Sequence, residues 1–406
     1  MRFDFDFAGY SINFAVKVKD MRKICVVTGT RADWGLLSPI AKALKARPDV
    51  IVQIVATNMH LSPKFGNTYK EILADGFKIN CHVSMLDDTN TPGNTVRSMG
   101  VAMSGFASVF EELKPDMILI LGDRYEMLAV ASTALIFRIP IAHIAGGAIS
   151  EGAYDDSIRH AITKMSHIHL TETEEYRQRV IQLGEEPERV FNTGAIGIHN
   201  IINAPFLSHE EIEKEIGLKI DRNTLMVTFH PATLDESDPG EQCANLLAAL
   251  DKHPECNVIF SYPNNDTHGR VIISLIEEFV GKRRERCVVF PSLGILRYLS
   301  VLRYAGAVVG NSSSGIVEVP SMKIPTLDIG NRQRNRIAAS SVLHCGVSQE
   351  EIERGLATVL SEEWREKARN TVNPYYQPDT LEKMVNAIMN TPLDGITMKH
   401  FHDIKQ

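Results

Sequence analysis

The chain of 406 residues is 44% hydrophobic and 23% charged, which is ordinary for a globular protein with a large core. This length predicts two domains or three, and the net charge of -7 argues against a nucleic-acid-binding surface. The six cysteines are scattered with no CxxC pair, which favours buried thiols in a reducing cytoplasm over disulfides or a zinc site. No apolar run approaches the roughly 20 residues that span a bilayer. We therefore expect a cytoplasmic protein that binds neither membrane nor nucleic acid.

Residues 1–20 do not fit the pattern of the rest of the chain. They carry Asp4 and Asp6 where a signal peptide needs positive charge, and they lack its long apolar region. We interpret residues 1–20 as a loosely ordered N-terminal extension, or as a start assigned too far upstream. The first recognisable domain begins at Met21.

Apolar strands alternate with amphipathic helices from Met21 onwards, and this alternation predicts parallel sheets covered by helices on both faces. In the first half the predicted strands are Ile24–Thr28, Val50–Ala56, Met117–Leu121, Pro140–Ile144 and Ile168–Thr171. The predicted helices of this half are Leu36–Lys45, Val96–Leu113, Tyr125–Phe137 and Asp156–Met165. The alternation of strands and helices is interrupted between Thr193 and Leu207, a stretch that contains several glycine and asparagine residues and a proline.

The alternation then restarts, which predicts a second doubly wound domain. Its predicted strands are Leu225–Phe229, Asn257–Ser261, Val288–Phe290, Ala307–Val309 and Pro325–Ile329. Its predicted helices are Glu241–Asp251, Gly269–Val280 and Leu293–Arg303. A last helix, Thr380–Met389, is expected to pack back on the first domain. We therefore predict one domain of residues 21–195 plus 380–406 and a second domain of residues 196–379.

The polar turns that follow the strands are expected to face each other across a cleft, because ligands bind beyond the carboxyl ends of parallel strands. In the turn GNSSSG, Ser312 and Ser313 open a short helix, whose unpaired backbone N–H groups and hydroxyls suit a phosphate. Glu318, about one helical turn further on, could accept hydrogen bonds from two adjacent sugar hydroxyls. The alternative is that one serine is an ordinary N-cap and that Glu318 is a solvated helix residue.

Two turns of the first half pair a guanidinium with a carboxylate. In GTRAD, Arg31 is placed to bind an anion, and the absence of GxGxxG disfavours a dinucleotide. The alternative is a surface pair of Arg31 with Asp33. In GDRYE, Asp123 could be an acid/base group beside a phosphate contact from Arg124. The alternative is that Asp123 caps the following helix.

Further polar residues stand at a helix start and at the ends of other strands. Asp155 and Asp156 open a helix, where one of them could be an N-cap. His230 ends a strand and is a candidate general acid or base, with a packed histidine as the alternative. No histidine has the spacing of HExxH, so we predict no metal. Three more polar residues that follow strands are Asn265, Asp266 and Arg332.

Taken together, these motifs resemble one family, the hydrolysing UDP-N-acetylglucosamine 2-epimerases of sialic-acid biosynthesis. The resemblance runs from about Met21 to the C-terminus, and the ordered set of motifs is specific although each motif alone is weak. The GDR and GNSSSG turns are similar to the hydrolysing branch rather than to the non-hydrolysing bacterial epimerases. The matching elements are GTRADWG at 29–35, GDRYE at 122–126, HIAGG at 143–147, DDSIRHAITKMSHIH at 155–169, FHP at 229–231 and GNSSSGIVEV at 310–319.

The resemblance implies an α/β, GT-B-like architecture of two Rossmann-like domains with the active site in the cleft between them. It implies conversion of UDP-N-acetylglucosamine (UDP-GlcNAc) and water to N-acetylmannosamine (ManNAc) and UDP, by elimination of UDP to a glycal and then hydration. We expect no cofactor, and a homodimer or homotetramer. The residues that match the family's acid/base positions are Asp123, Asp155 and His230. Those that match nucleotide or phosphate contacts are Arg31, Ser312, Ser313, Glu318 and Arg332, and the substrate-binding set also includes Asp33, Arg124, Asn265 and Asp266.

One departure from the family pattern concerns a glutamate that members carry within the HI-x-GG-x stretch. Both variable positions, Ala145 and Ala148, are alanine here. An acid/base group typically contributes ~10²–10⁴-fold in rate, so its absence would matter. Glu151, on the same loop, is an alternative carboxylate. Two further hypotheses stay open: a hydrolysing GDP-GlcNAc 2-epimerase of nonulosonic-acid biosynthesis, and a nucleotide-sugar-binding protein with impaired catalysis.

Overall fold

The computed structural model describes residues 21–85, 91–150, 153–232, 238–263 and 269–404. Its frame is two β-sheets in which all paired strands run parallel. The predicted extension at residues 1–20 lies outside the described residues, and so do Glu151, Asn265 and Asp266. The prediction of an α/β fold with two doubly wound parallel sheets is confirmed.

The first sheet has seven strands in the order β3-β2-β1-β4-β5-β6-β7. Its strands are β1 (Arg22–Thr28), β2 (Val50–Thr57), β3 (Ile79–Val83), β4 (Met117–Leu121), β5 (Ile141–Ile144), β6 (Ile168–Thr171) and β7 (Val190–Asn192). The helices between them are α1 (Arg31–Lys45), α2 (Tyr69–Ala74), α3 (Pro92–Leu113), α4 (Tyr125–Ile136), α5 (Asp155–Met165) and α6 (Glu174–Gln182).

The second sheet has six strands in the order β10-β9-β8-β11-β12-β13. Two helices precede it, α7 (Ile196–Asn203) and α8 (His209–Ile216). Its strands are β8 (Leu225–Thr228), β9 (Val258–Ser261), β10 (Cys287–Phe290), β11 (Ala307–Gly310), β12 (Thr326–Ile329) and β13 (Val342–Cys345). The other helices of this half are α9 (Pro239–Asp251), α10 (Gly269–Gly281), α11 (Gly294–Tyr304), α12 (Ser313–Val317), α13 (Gln349–Val359), α14 (Glu362–Arg369) and α15 (Thr380–Asn390). Within the described ranges, the structure contains no helix with the length and hydropathy of a membrane span.

Both faces of each sheet are covered, because the central strands present apolar side chains to both faces. Successive side chains of a strand point to opposite faces. In β1, Ile24 and Val26 enter one core cluster, Cys25 and Val27 enter the cluster on the other face, and all four are fully buried. The second sheet likewise has one apolar cluster on each face. This sandwiching by helices is what the near-continuous apolar strands predict.

The last helix returns to the first sheet. Met384 and Ile388 of α15 are fully buried in the core on one face of that sheet. The guanidinium of Arg22, at the start of β1, donates hydrogen bonds to the carbonyl oxygens of Ile388 (2.6 Å) and Met389 (3.0 Å). These contacts attach α15 to the start of β1. The exact domain boundaries, at residues 195/196 and 379/380, stay a prediction.

Helix α1 begins at Arg31, earlier than predicted, because a capping box starts it. The Thr30 hydroxyl accepts from the Asp33 N–H (3.1 Å), and the Asp33 carboxylate accepts from the Thr30 N–H (3.0 Å). The prediction that the whole stretch 29–33 is a turn is therefore wrong, because residues 31–33 belong to α1. Helix α3 likewise begins early, at Pro92, because Thr91 caps it and proline suits the first helical position.

The order of strands reverses between β1 and β4 in the first sheet and between β8 and β11 in the second. Connections from two such strands leave toward opposite faces, so a crevice opens at the carboxyl edge of the sheet. The segments that follow these four strands contain Thr30, Asp123, His230 and Ser312. The two topological switch points therefore position most of the predicted site residues.

Candidate active site

The cleft between the two domains contains two adjoining chambers, of about 340 Å³ and about 200 Å³. We call the larger one the serine chamber, because the serines at 312–314 line it. We call the smaller one the arginine chamber, because Arg124, Arg159 and Arg336 line it. The residues that line both chambers are Ala32, Leu36, Gly197, Ser313, Glu318 and Arg332.

Three of the serines that line the serine chamber, at positions 312–314, stand at the start of α12, shortly after β11. Ser312 occupies the N-cap position, but its hydroxyl makes no capping hydrogen bond, so the alternative of an ordinary serine cap is wrong. The Ser314 hydroxyl shares a hydrogen bond of 2.8 Å with the Tyr298 hydroxyl. A Cβ at Gly310 would lie 2.0 Å from the Thr228 carbonyl oxygen, and its φ of 133° also favours glycine. The glycine thus permits the close approach of β11 and β8 from which the serines project.

Glu318 lies where the two chambers meet. It is the C-cap residue of α12 and is half-buried, so it is not the solvated helix residue of the alternative interpretation. Burial, together with the charge of Glu172, raises the pKa of Glu318 to about 7, and a hydrogen bond from Ser314 opposes that rise. A Cβ built at Gly197 would lie only 2.5 Å from Oε1 of Glu318. The glycine therefore leaves the space that this carboxylate occupies.

Arg31 and Asp33 do not form the surface pair of the alternative interpretation. Nε of Arg31 lies 2.6 Å from Oε1 of Glu71. The Asp33 carboxylate instead accepts from the backbone N–H groups at the start of α1, and it lines the arginine chamber. Burial and the charge of Glu126 raise the pKa of Asp33 to about 6. The guanidinium of Arg31 lies against Gly294 of the second domain, where a Cβ would be 2.2 Å from Nη2.

Asp123 is held by a buried arginine. Arg159 is 1% exposed, forms an ion pair with Asp123, and donates to the Ala148 carbonyl and the Ser150 hydroxyl, both at 2.9 Å. Burial alone would raise the pKa of Asp123, but the charges of Arg159 and Arg336 outweigh burial and lower it. Asp123 is therefore ionised at neutral pH. The N-cap position of α4 belongs to Arg124, so Asp123 is not the helix cap of the alternative interpretation.

Arg124 also has a fixed orientation. Its Nε donates to Oε1 of Glu126 at 2.7 Å, and the Glu126 side chain is fully buried. A Cβ at Gly29 would lie 2.7 Å from the same carboxylate oxygen. The glycine of the GTRAD turn therefore makes room for the carboxylate that orients Arg124, and this links the turns after β1 and β4.

His230 is fixed through its backbone by Asn311. The His230 N–H donates to Oδ1 of Asn311 (2.7 Å), and Nδ2 of Asn311 donates to the His230 carbonyl (2.8 Å). The Asn311 carbonyl accepts from Nη1 of Arg332 at 3.1 Å. Burial, then the charges of Arg332 and Arg124, lower the pKa of His230 well below its ordinary value. His230 is therefore a neutral imidazole at neutral pH.

The loop after β5 brings Asp155 to the arginine chamber, where Asp155 is the first residue of α5. Ala145 lines the same chamber and has a φ of +66°, in the left-handed region. Ala148 is fully buried in an apolar cluster that includes Tyr176 and Tyr375. The structure thus brings together every predicted site residue that it describes.

Three charged residues that line the arginine chamber are outside the predicted set: Arg159, Glu172 and Arg336. Glu172 directly follows β6, so the rule that selected the other strand-end residues could have found it. Nε of Arg336 donates to the Ile149 carbonyl across the cleft (3.2 Å). The ion pair of Arg159 with Asp123 joins residues that are distant in sequence.

Two doubly wound domains with a polar cleft at the carboxyl edges of their sheets define a GT-B-like protein, as the sequence predicted. A crystal structure of the UDP-GlcNAc 2-epimerase from Neisseria meningitidis bound to UDP-GlcNAc has a TM-score of 0.76 to this chain at 16% identity. The match covers 91% of this chain and 100% of that chain. Residues 42–389 match the profile of the family described as UDP-N-acetylglucosamine 2-epimerase, and the chain belongs to this family.

Relatives in sequence include hydrolysing members. The GDP/UDP-N,N'-diacetylbacillosamine 2-epimerase (hydrolyzing) of Campylobacter jejuni is 39% identical over 384 residues, which are 94% of this chain and 99% of that protein. Polysialic acid biosynthesis protein P7 of Escherichia coli is 35% identical over 388 residues, which are 95% of this chain and 98% of that protein. The predicted membership of the hydrolysing 2-epimerase family is confirmed.

Proposed function

We propose that this protein is a hydrolysing UDP-GlcNAc 2-epimerase that converts UDP-GlcNAc and water to ManNAc and UDP. The observation that carries the proposal is the junction of the two chambers at Ser313, Glu318 and Arg332. A nucleotide diphosphate in the serine chamber would place its sugar in the arginine chamber, beside Asp123. The family description and the UDP-GlcNAc bound to the Neisseria enzyme support this substrate.

The serine chamber would hold the UDP. Ser312 and Ser313 would donate to the diphosphate, whose charge Arg31 and Arg332 would balance. Glu318 would accept hydrogen bonds from the two ribose hydroxyls, which requires its ionised form. Its pKa of about 7 leaves a substantial fraction protonated at neutral pH, and hydroxyl donors would favour ionisation.

The arginine chamber would carry the proton transfers. In the elimination, a base removes the proton on C2, the C1–O bond breaks, and its electron pair leaves with UDP. Asp123 is ionised and fixed by Arg159, so it can act as this base. Asp155 and neutral His230 are the further acid/base candidates, and the arginines would stabilise the charge on the departing diphosphate.

Turnover of UDP-GlcNAc tests the proposal. We expect purified protein to release UDP and ManNAc in equal amounts, measured by a coupled UDP assay and by mass spectrometry of the sugar. The Asp123→Asn protein, purified in parallel, reports any contaminating epimerase from the expression host. UDP-GlcNAc that stays intact after long incubation would contradict the proposal and favour the nucleotide-sugar-binding protein suggested by Ala145 and Ala148.

A second candidate substrate is a nucleotide-activated N,N'-diacetylbacillosamine. The name of the 39% identical Campylobacter relative favours it. This sugar differs from GlcNAc at C4 and C6, whereas the proposed chemistry takes place at C1 and C2, so the same groups would serve. Values of kcat/KM for UDP-GlcNAc, GDP-GlcNAc and the UDP- and GDP-activated diacetylated sugars decide between the substrates. Assembly as a homodimer or homotetramer and a cytoplasmic location also stay proposals.

A further inference from the structure

Glu172 is a carboxylate of the arginine chamber that the proposed function has not used. It follows the last residue of β6, and β6 lies beside β5 in the first sheet, with Ile144 opposite Leu170. The Ala145 N–H donates to the Leu170 carbonyl at 2.9 Å, which continues the pairing beyond β5. Glu172 therefore stands at the carboxyl edge of the sheet, next to the loop that begins at Ala145, and it lines the chamber.

Two other carboxylates of the arginine chamber, those of Asp123 and Asp33, are held by partners. Asp123 is paired with Arg159, and Asp33 accepts from backbone N–H groups. No hydrogen bond or ion pair joins the Glu172 carboxylate to any other residue that the structure describes. A half-buried carboxylate in such a position is available to a ligand in the chamber.

The chamber shifts the pKa values of Glu172 and Asp123 in opposite directions. Burial raises the pKa of Glu172, although the charges of Arg336 and Arg159 act in the opposite direction. The direct ion pair with Arg159 lowers the pKa of Asp123. One chamber thus contains a carboxylate that stays ionised and a carboxyl group that retains its proton more readily. Such a separation assigns a base and an acid to two residues of the same type.

The stereochemistry of the proposed reaction requires two groups of this kind. Conversion of the gluco to the manno configuration inverts C2, so the proton leaves one face of the ring and a proton returns to the other face. A single fixed side chain does not reach both faces of a bound sugar. An ionised base on one side and a protonated acid on the other side satisfy this requirement.

We propose that Glu172 is a catalytic residue that donates the proton to C2 of the glycal during hydration. The proton on Oε of Glu172 moves to C2 as the C1=C2 double bond is consumed. A water oxygen forms the new bond to C1 and releases its proton to a second base in the chamber. Glu172, left as a carboxylate, regains a proton from solvent before the next turnover. This inference rests on the proposed function.

The experiment compares wild-type protein with Glu172→Gln and Glu172→Asp, using UDP-GlcNAc as substrate. We expect Glu172→Gln to form ManNAc ~10²–10⁴-fold more slowly, which is the usual contribution of an acid/base group. UDP release should fall less than ManNAc formation, and the 2-acetamido glycal should accumulate, as detected by mass spectrometry. Glu172→Asp keeps the carboxyl group and should retain more ManNAc formation than Glu172→Gln.

Glu174→Gln is the matched control. Glu174 is two positions further on, its side chain is 57% exposed, and it pairs with Arg177 on the surface of α6. This variant should behave as wild type, and all variants should keep the thermal stability and the UDP affinity of wild type.

The inference is overturned if Glu172→Gln forms ManNAc at the wild-type rate. It is also overturned if Glu172→Asp is as slow as Glu172→Gln, if Glu174→Gln is equally slow, or if UDP binding is lost together with turnover. If the proposed function itself is wrong, wild-type protein releases no UDP, and the inference is overturned as well. This outcome is distinguishable from the results above, in which wild-type protein releases UDP.

Discussion

The serine and arginine chambers adjoin, yet they are built from different kinds of polar group. The serine chamber is lined by the starts of α1, α11 and α12, whose backbone N–H groups and hydroxyls are neutral donors. The arginine chamber instead concentrates formal charge, with Asp123 and Glu172 among four arginines. Fixed dipoles suit a diphosphate, whereas proton transfer needs carboxyl groups whose pKa values differ.

Substitutions in the two chambers should have different effects. Changes in the arginine chamber should slow the chemistry and leave UDP binding in place, because UDP would occupy the serine chamber. Changes at the junction around Glu318 should weaken UDP binding first. Variants in which turnover and UDP binding are lost together would show that the two chambers do not have separate functions.

The largest effect is expected from Asp123→Asn. The amide cannot take the C2 proton, so kcat should fall by ~10²–10⁴-fold. UDP affinity, measured by calorimetry, should stay near the wild-type value. Asp394→Asn, at an exposed position after α15, is the control and should change neither quantity. Equal losses of kcat and UDP affinity in Asp123→Asn would contradict the division between the chambers.

Arg159→Met should strongly destabilise the fold. Removal of the guanidinium leaves Asp123 without its buried partner, and breaking a buried ion pair in this way typically costs about 3–5 kcal/mol. Urea unfolding of the protein without ligand measures the change. Arg369→Met is the matched control, because Arg369 forms only surface ion pairs on α14, and its unfolding midpoint should hardly move. Similar midpoints for the two variants would show that the Asp123–Arg159 pair does not stabilise the fold.

Gly197→Ala should weaken UDP binding at the junction of the chambers. The new Cβ would lie 2.5 Å from the Glu318 carboxylate and would displace it from the ribose position. Loss of hydrogen bonds to a charged group costs about 1.5–3 kcal/mol, so we expect roughly 10- to 100-fold weaker binding by calorimetry. Gly100→Ala, in α3 with no atom within 4 Å of the new Cβ, is the control. Wild-type affinity in Gly197→Ala would argue against Glu318 as a ribose contact.

The smallest effect is expected from the pH dependence of Glu318→Gln. The pKa of Glu318 is raised from 4.5 to about 7 in the folded protein, so folding favours the protonated form. The wild-type stability due to this group is therefore complete below about pH 4.5 and declines as the pH rises toward 7. Glu318→Gln lacks this decline in stability. Because Glu318 is partly exposed, we expect only a modest difference in the free energy of unfolding between the two proteins. Urea unfolding of both proteins at several pH values measures the free energy of unfolding. We expect Glu318→Gln to become more stable relative to wild type as the pH rises to about 7. A stability difference that does not change with pH would contradict this prediction.

The sequence predicts the serine chamber better than the arginine chamber. Ser312, Ser313 and Arg31 stand in short motifs directly after strands, and parallel strands gather their carboxyl ends at one edge. A local motif and the fold class are therefore enough to place them in one cleft. The exception is the first turn of α1: the capping box of Thr30 and Asp33 starts this helix at Arg31, earlier than the predicted start at Leu36.

The arginine chamber depends on contacts between residues that are distant in sequence. Arg159 lies inside α5 and pairs with Asp123 after β4, and no periodicity or spacing links the two. Arg336 reaches the Ile149 carbonyl from the other domain. The pKa of His230 also depends on burial and on Arg332 and Arg124, which the sequence places in separate motifs. Charge networks of this kind become visible only in three dimensions.

Turnover of UDP-GlcNAc in deuterated water tests the central claim most directly, because the claim is that the C2 proton is removed and replaced. We predict release of UDP together with ManNAc that carries one deuterium at C2, detected by mass spectrometry and proton NMR. Release of UDP with undeuterated N-acetylglucosamine would indicate simple hydrolysis without chemistry at C2. That result, or the absence of UDP release, would contradict the proposed elimination and hydration.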